Sequence, residues 1–125
     1  MGIYCGTDII EIERVKNSIE KLGESFLNKV YTKKEIEYCE SKSNQKYQHY
    51  AARFAAKEAT FKAISKIIDN KYDVNWTDFE VDNESSGRPK VNILNEKYNK
   101  LIEEIDISIS HCKDYAIANV VCEIK

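Results

Sequence analysis

A chain of 125 residues can bury a core of its own but is too short for two ordinary domains, so a single domain spanning 1–125 is expected. Nineteen Lys and Arg against 21 Asp and Glu give a net charge of −2, with the front half mildly basic and the back half acidic. That shallow gradient excludes the dense basic face of a nucleic-acid binder while still suiting the docking of an acidic protein.

The four cysteines, Cys5, Cys39, Cys112 and Cys122, form no C-x-x-C pair and no zinc-like spacing, which reads as reduced thiols in a cytoplasmic protein. Asp8 follows a few mildly apolar residues, leaving no room for a signal-peptide core, and no stretch approaches the length of a membrane span. Met1-Gly2 lacks the Ser or Thr at position six that myristoylation requires, because Gly6 stands there.

In chain order, the alternating apolar residues 2–8 predict a short strand ending at Gly6-Thr7-Asp8, with a helix from about Ile10. Asp8 then sits at a strand-to-helix junction, where capping the helix is one reading of it. Helices are predicted over Glu24–Val30 and Lys33–Glu40, the latter with Thr32 as N-cap and Glu35 at the capping-box position. Residues 41–44 are a polar loop. A long central helix follows from about Gln45 to Ile68. Its 3.6-residue period places Tyr47, Tyr50, Ala51, Phe54, Phe61, Ile64 and Ile68 on the core-facing stripe, with Glu58 between Phe54 and Phe61. An unpaired carboxylate there would cost several kcal/mol or more, so Glu58 needs a proton, a cation or a metal ion. An i,i+4 pair with Lys62 is one candidate, worth only about 0.2–0.5 kcal/mol on an exposed helix.

Beyond the helix, strands at Phe79–Asp82 and Val91–Leu94 flank a turn at 84–89, and a helix is predicted at about Asn95–Glu104. Residues 106–111 and 115–124 read as a second hairpin around Cys112-Lys113-Asp114, with Ala116, Ala118, Val120, Cys122 and Ile124 on its core face. The expected class is α+β: an antiparallel sheet, a long central helix, and helices clustered in the N-terminal half.

Three segments carry the chemistry: Gly6-Thr7-Asp8 with Glu11 and Arg14; Arg53-Phe54-Ala55-Ala56-Lys57-Glu58-Ala59 with Lys62; and Ser108-Ile109-Ser110-His111 followed by alternating alanines. In order and spacing they resemble the holo-acyl-carrier-protein synthase family of phosphopantetheinyl transferases, and the turn Gly87-Arg88-Pro89 is similar to that family's G-K-P. The departures are Cys5 before the glycine, Arg88 for the commoner Lys, and Cys112 after His111.

The resemblance implies an enzyme that moves the 4'-phosphopantetheine of coenzyme A onto a serine of apo-acyl carrier protein, in fatty-acid synthesis. It implies Asp8 and Glu58 as ligands of Mg²⁺, with Mn²⁺ as an alternative. Magnesium suits such a pair, since it favours hard oxygens and is commonly held by one or two carboxylates plus substrate phosphates. Lys62, one turn beyond Glu58, is suited to meet charge growing on the phosphoryl group. Glu58 is the candidate to accept the serine proton, directly or through water.

Arg53, Arg88 and His111 are candidate phosphate contacts, with a structural hydrogen bond as the other reading of His111. Gly87 and Pro89 are candidates for a wall of the adenine pocket, or simply a hairpin turn. The resemblance implies Arg14, on the first helix, as a contact for an acidic helix of the carrier protein. Lys21 and Phe26 are added to that surface, with a solvated charge and core packing as their alternatives. The resemblance further implies a homotrimer with active sites between subunits. Two other classes stay open: a non-catalytic domain binding the carrier or coenzyme A, and a different metal-dependent enzyme acting on nucleotides, although no P-loop is present.

Overall fold

A computed structural model describes residues 2–125 and has the α+β class expected. Five helices (α1 Ile12–Leu22, α2 Glu24–Val30, α3 Lys33–Glu40, α4 Lys46–Ala63, α5 Glu96–Asn99) accompany five strands (β1 Gly2–Glu11, β2 Phe79–Asn83, β3 Pro89–Ile93, β4 Ile102–His111, β5 Tyr115–Ile124). β1, β5 and β4 form one antiparallel sheet in that order, with β5 in the centre, and β2 and β3 form a separate hairpin. Both predicted hairpins are present, and α2 and α3 begin and end where the sequence places them, α3 with its Thr32–Glu35 capping box.

α4 lies across the three-stranded sheet and packs on β1 and β5. Its sheet-facing residues are mostly alanines, with Ala55, Ala56, Ala59 and Ala63 fully buried. Short side chains let the helix axis come close to the strands. Closest of all is the crossing at Gly6, where a Cβ would stand well inside van der Waals distance of the Ala59 carbonyl oxygen and 2.6 Å from the Ala63 nitrogen. A second cluster, on the N-terminal half of α4, gathers Ile12, Val15, Ile19, Tyr31, Cys39 and Tyr50 under α1 to α3.

Four expectations are corrected. β1 runs to Glu11 instead of Asp8, because β5 is ten residues long and pairs with it as far as Glu11–Tyr115; the Ile12 N–H then donates to the Asp114 carbonyl at 2.9 Å. Asp8 is therefore in mid-strand opposite Ala118, and it caps no helix. α4 ends at Ala63, not Ile68, and the Ser65 hydroxyl donates to the Lys62 carbonyl just past that end. The helix predicted at 95–104 is one turn, Glu96–Asn99, and Ile102 onward joins β4, where pairing with β5 overrides a spacing that also suits a helix.

Candidate active site

The residue that most constrains α4 is Lys57, not Glu58. Lys57 is 0% exposed, whereas Glu58 is half-buried on a face that opens to a cleft. This corrects part of the stripe read from the sequence: Tyr50, Ala51 and Ile64 are fully buried as expected, together with the alanine face, whereas Phe54, Glu58 and Phe61 line a neighbouring, partly open face. Lys57 Nζ lies 2.6 Å from Glu35 Oε1 and donates to the carbonyls of Trp76 (3.1 Å) and Phe79 (2.6 Å). Burial holds this ammonium below the usual lysine range, and Glu35 opposes that shift.

β1 brings the first acid to α4. Side chains alternate along a strand, so Asp8 shares the helix-facing side with Gly6, two residues back at the close crossing. Lys62 Nζ reaches over from α4, 3.2 Å from Asp8 Oδ1, and donates to the Thr7 carbonyl at 3.0 Å. The alternative Glu58–Lys62 pair is not formed, and Glu58 makes no ion pair among the described residues. Its carboxyl is raised above the usual range, first by burial and then by the Asp8 carboxylate, with Lys62 pulling the other way. Residues 8 and 58 thus meet in one electrostatic neighbourhood.

The donor set fits a hard divalent cation. Two carboxylates with mutual repulsion and an exposed side supply part of an octahedron and leave the rest to water or phosphate oxygens. Among the described residues no group of three or more His, Cys, Asp or Glu could hold a metal by itself. Beside Glu58 opens a cleft of about 250 Å³, lined by Phe61, Tyr72, Val74, Trp76 and Phe79 along with Lys57.

Arg53, Arg88 and His111 lie elsewhere. Arg53 is 4% exposed, with its guanidinium carbon 3.9 Å from the Tyr38 ring centroid, and it donates to Asn83 Oδ1 at 2.9 Å while its Nε has no partner. The Asn83 amide in turn donates to the Gly87 carbonyl at 3.0 Å, so Arg53 supports the Gly87 turn from beneath. Gly87 has φ of +92°, a conformation that favours glycine, and Pro89 opens β3 beyond it. Exposed Arg88 forks onto Asp106 of β4 with both bonds at 2.8 Å. His111 is exposed at the end of β4, its ring 6.4 Å from that of His49, which stands 5.5 Å from Tyr38. None of these residues lines the Glu58 cleft.

Arg14 and Lys21 are exposed on α1, and Phe26 packs on Tyr31 and Phe54; Arg14 and Phe26 share a small separate cleft with Ile10 and Phe54. Sequence reasoning missed Lys57, Trp76 and His49, and read Glu35 only as a capping-box residue. The one signal available was a pair of adjacent charges, Lys57 and Glu58, inside a run of alanines that suits close packing.

Comparison with known proteins gives a consistent picture. Residues 4–120 match the family model described as the 4'-phosphopantetheinyl transferase superfamily. The chain is 44% identical to the holo-[acyl-carrier-protein] synthase of Ruminiclostridium cellulolyticum, covering 99% of this chain and 94% of that one. It is 47% identical to the synthase of Thermodesulfovibrio yellowstonii, over 93% and 94% of the two chains. The fold is similar to an ACPS–CoA complex from Chronobacterium ammoniagenes, with a TM-score of 0.83 at 26% identity, covering 100% and 99%. It is also similar to the Helicobacter pylori synthase in complex with coenzyme A, with a TM-score of 0.81 at 28% identity, covering 95% and 99%.

Proposed function

The chain belongs to the 4'-phosphopantetheinyl transferase superfamily, and from that premise we infer that it is a holo-[acyl-carrier-protein] synthase, moving the 4'-phosphopantetheine arm of coenzyme A onto a serine of apo-acyl carrier protein. Adenosine 3',5'-bisphosphate is the other product. The observation that carries this reading is the meeting of Asp8, Glu58 and Lys62 at the Gly6 crossing, beside a cleft, in a chain whose relatives bear that name.

The serine oxygen attacks the phosphorus that carries the pantetheine, and the oxygen bridging to the nucleotide phosphate leaves in line. Lys62, already turned toward Asp8, faces the charge that develops on the phosphoryl oxygens. Glu58, directly or through a water, accepts the serine proton. Asp8 and Glu58 would hold Mg²⁺, or Mn²⁺, which when bound supplies neutralisation of the pyrophosphate.

Arg53 and His111 are proposed to serve the nucleotide phosphates together with Arg88, and Gly87 and Pro89 the adenine. Their separation from Glu58 within one chain supports a site assembled between copies. So does the outer face of the β1-β5-β4 sheet, which presents Ile3, Ile9, Ile117 and Val121, all exposed. A homotrimer with shared sites is the assembly proposed. Arg14, Lys21 and Phe26 are proposed to receive the carrier protein. No helix is long and apolar enough to cross a membrane, and a cytoplasmic place in fatty-acid synthesis completes the reading.

The test is direct. Incubated with apo-acyl carrier protein, coenzyme A and Mg²⁺, the protein should add one phosphopantetheine mass to the carrier. Glu58→Gln should reduce turnover by about 100-fold or more with a melting temperature near that of the wild type. Substantial Mg²⁺-dependent turnover in that variant removes Glu58 from the mechanism.

A further inference from the structure

We propose that Lys57, through its buried pairing with Glu35, is a positioning residue that fixes the far wall of the Glu58 cleft and thereby sets the affinity for coenzyme A. The proposal rests on the transferase reading of that cleft. Its own support is geometric.

Residues 71–78, which form the wall facing Glu58, contain only two 3₁₀ turns, Lys71–Asp73 and Trp76–Asp78, and no strand. Apart from those made by Lys57, the segment's hydrogen bonds run within residues 70–79 and to Leu94, and none of them reaches α4. Lys57 supplies the tie. An ammonium has three donors, and Lys57 points them at Glu35 and at the backbone carbonyls of Trp76 and Phe79. Glu35 is equally committed: Oε1 also accepts the Thr32 N–H at 2.8 Å, and Oε2 accepts the Val81 N–H at 2.7 Å. The pair therefore fastens α4, the start of α3, the Trp76 turn and β2 at one point. Because Glu58 is the next residue after Lys57, the span from its carboxylate to the opposing wall is set one residue away.

Stability alone does not account for a charged tie. Burying an ion pair costs several kcal/mol per ion before the attraction is counted, and apolar replacements of such pairs are often as stable or more so. What an apolar contact would lack is direction, because only hydrogen bonds to two particular carbonyls specify where the wall stands. A wall displaced by about 1 Å can cost about 100-fold in a step that depends on placement.

The double variant Lys57→Met/Glu35→Gln removes both charges and keeps a capping-box side chain at position 35. Its melting temperature should stay within a few degrees of wild type, while kcat/KM for coenzyme A falls by about 10- to 100-fold and KM for apo-acyl carrier protein is unchanged. Wild-type kcat/KM for coenzyme A in the folded double variant overturns the proposal. If that variant fails to melt cooperatively, Lys57→Arg replaces it; the bulkier guanidinium should produce the same selective loss, and wild-type constants overturn the proposal in the same way. Trp76 is the only tryptophan and lies in the wall itself, so acrylamide quenching follows the wall without any turnover. Should the wild type transfer nothing, the transferase reading falls and the quenching decides the positioning role: greater quenching in the variant supports it, and equal quenching overturns it.

Discussion

Gly6 controls the geometry of the acids. Two residues before Asp8, it lies where β1 meets α4, and any Cβ there would strike the helix backbone at Ala59 and Ala63. Backbone cannot rotate away as a side chain can, so Gly6→Ala should cost about 3 kcal/mol or more, at the upper end for overpacking. A chemical melt would measure the loss, and the mass assay would show turnover falling as Asp8 is pushed away from Glu58. A melt like the wild type's would mean the crossing has slack. Gly6, Asp8 and Glu58 were picked out in the sequence because each falls in a short motif that resembles the family's, although the two acids are far apart along the chain. Which of two adjacent charges turns inward was not legible. That choice depends on Glu35, twenty-two residues upstream of Lys57, whose buried carboxylate serves the capping box and the ion pair at once.

Among the elements, α4 divides its length between two tasks. Its C-terminal half carries Glu58 and Lys62, while its N-terminal half carries Arg53 and His49 into a row with Tyr38 and His111. His49 is held below its ordinary value of 6.5, first by burial and then by Arg53, Lys42 and His111. A base with a depressed folded pKa binds protons more readily when unfolded, so its contribution is complete above pH 6.5 and is lost as pH falls through the folded value. Urea midpoints followed from pH 7 to 5 should therefore decline, and His49→Gln should flatten that part of the curve; an equal decline in the variant would remove His49 as the cause. Element types were well predicted wherever the pattern was local, as in α2, α3 and the two hairpins. Of the misses, β1 cut short and β4 begun as helix both arise from β5, a strand whose influence on residues 9–11 and 102–105 is not written in those residues.

For the molecule as a whole, the outer face of the three-stranded sheet gathers several of the large apolar side chains left exposed. Ile3 is 75% exposed and Ile9 61%, and they share the face with Ile117, Val121 and the thiol of Cys5. If copies assemble through it, Ile117→Lys should shift sedimentation toward the single chain and reduce turnover together. Cys5 would then react quickly with a thiol reagent in that variant and slowly in the wild type, whereas Cys39, pushed up to about 12 by burial, should stay inert in both. A wild-type monomer with full activity and a fast-reacting Cys5 would refute the shared site. The pairing of β1 with β5 has a temporal consequence as well. Asp8 sits opposite Ala118, so it has no ladder partner until β5, roughly a hundred residues further along the chain, exists. A nascent polypeptide must carry Asp8, proposed above as a metal ligand, unpaired until β5 has emerged, and competence should arrive late and all at once; chains shortened before residue 115 should be inert and prone to aggregate through the bare edge of β1.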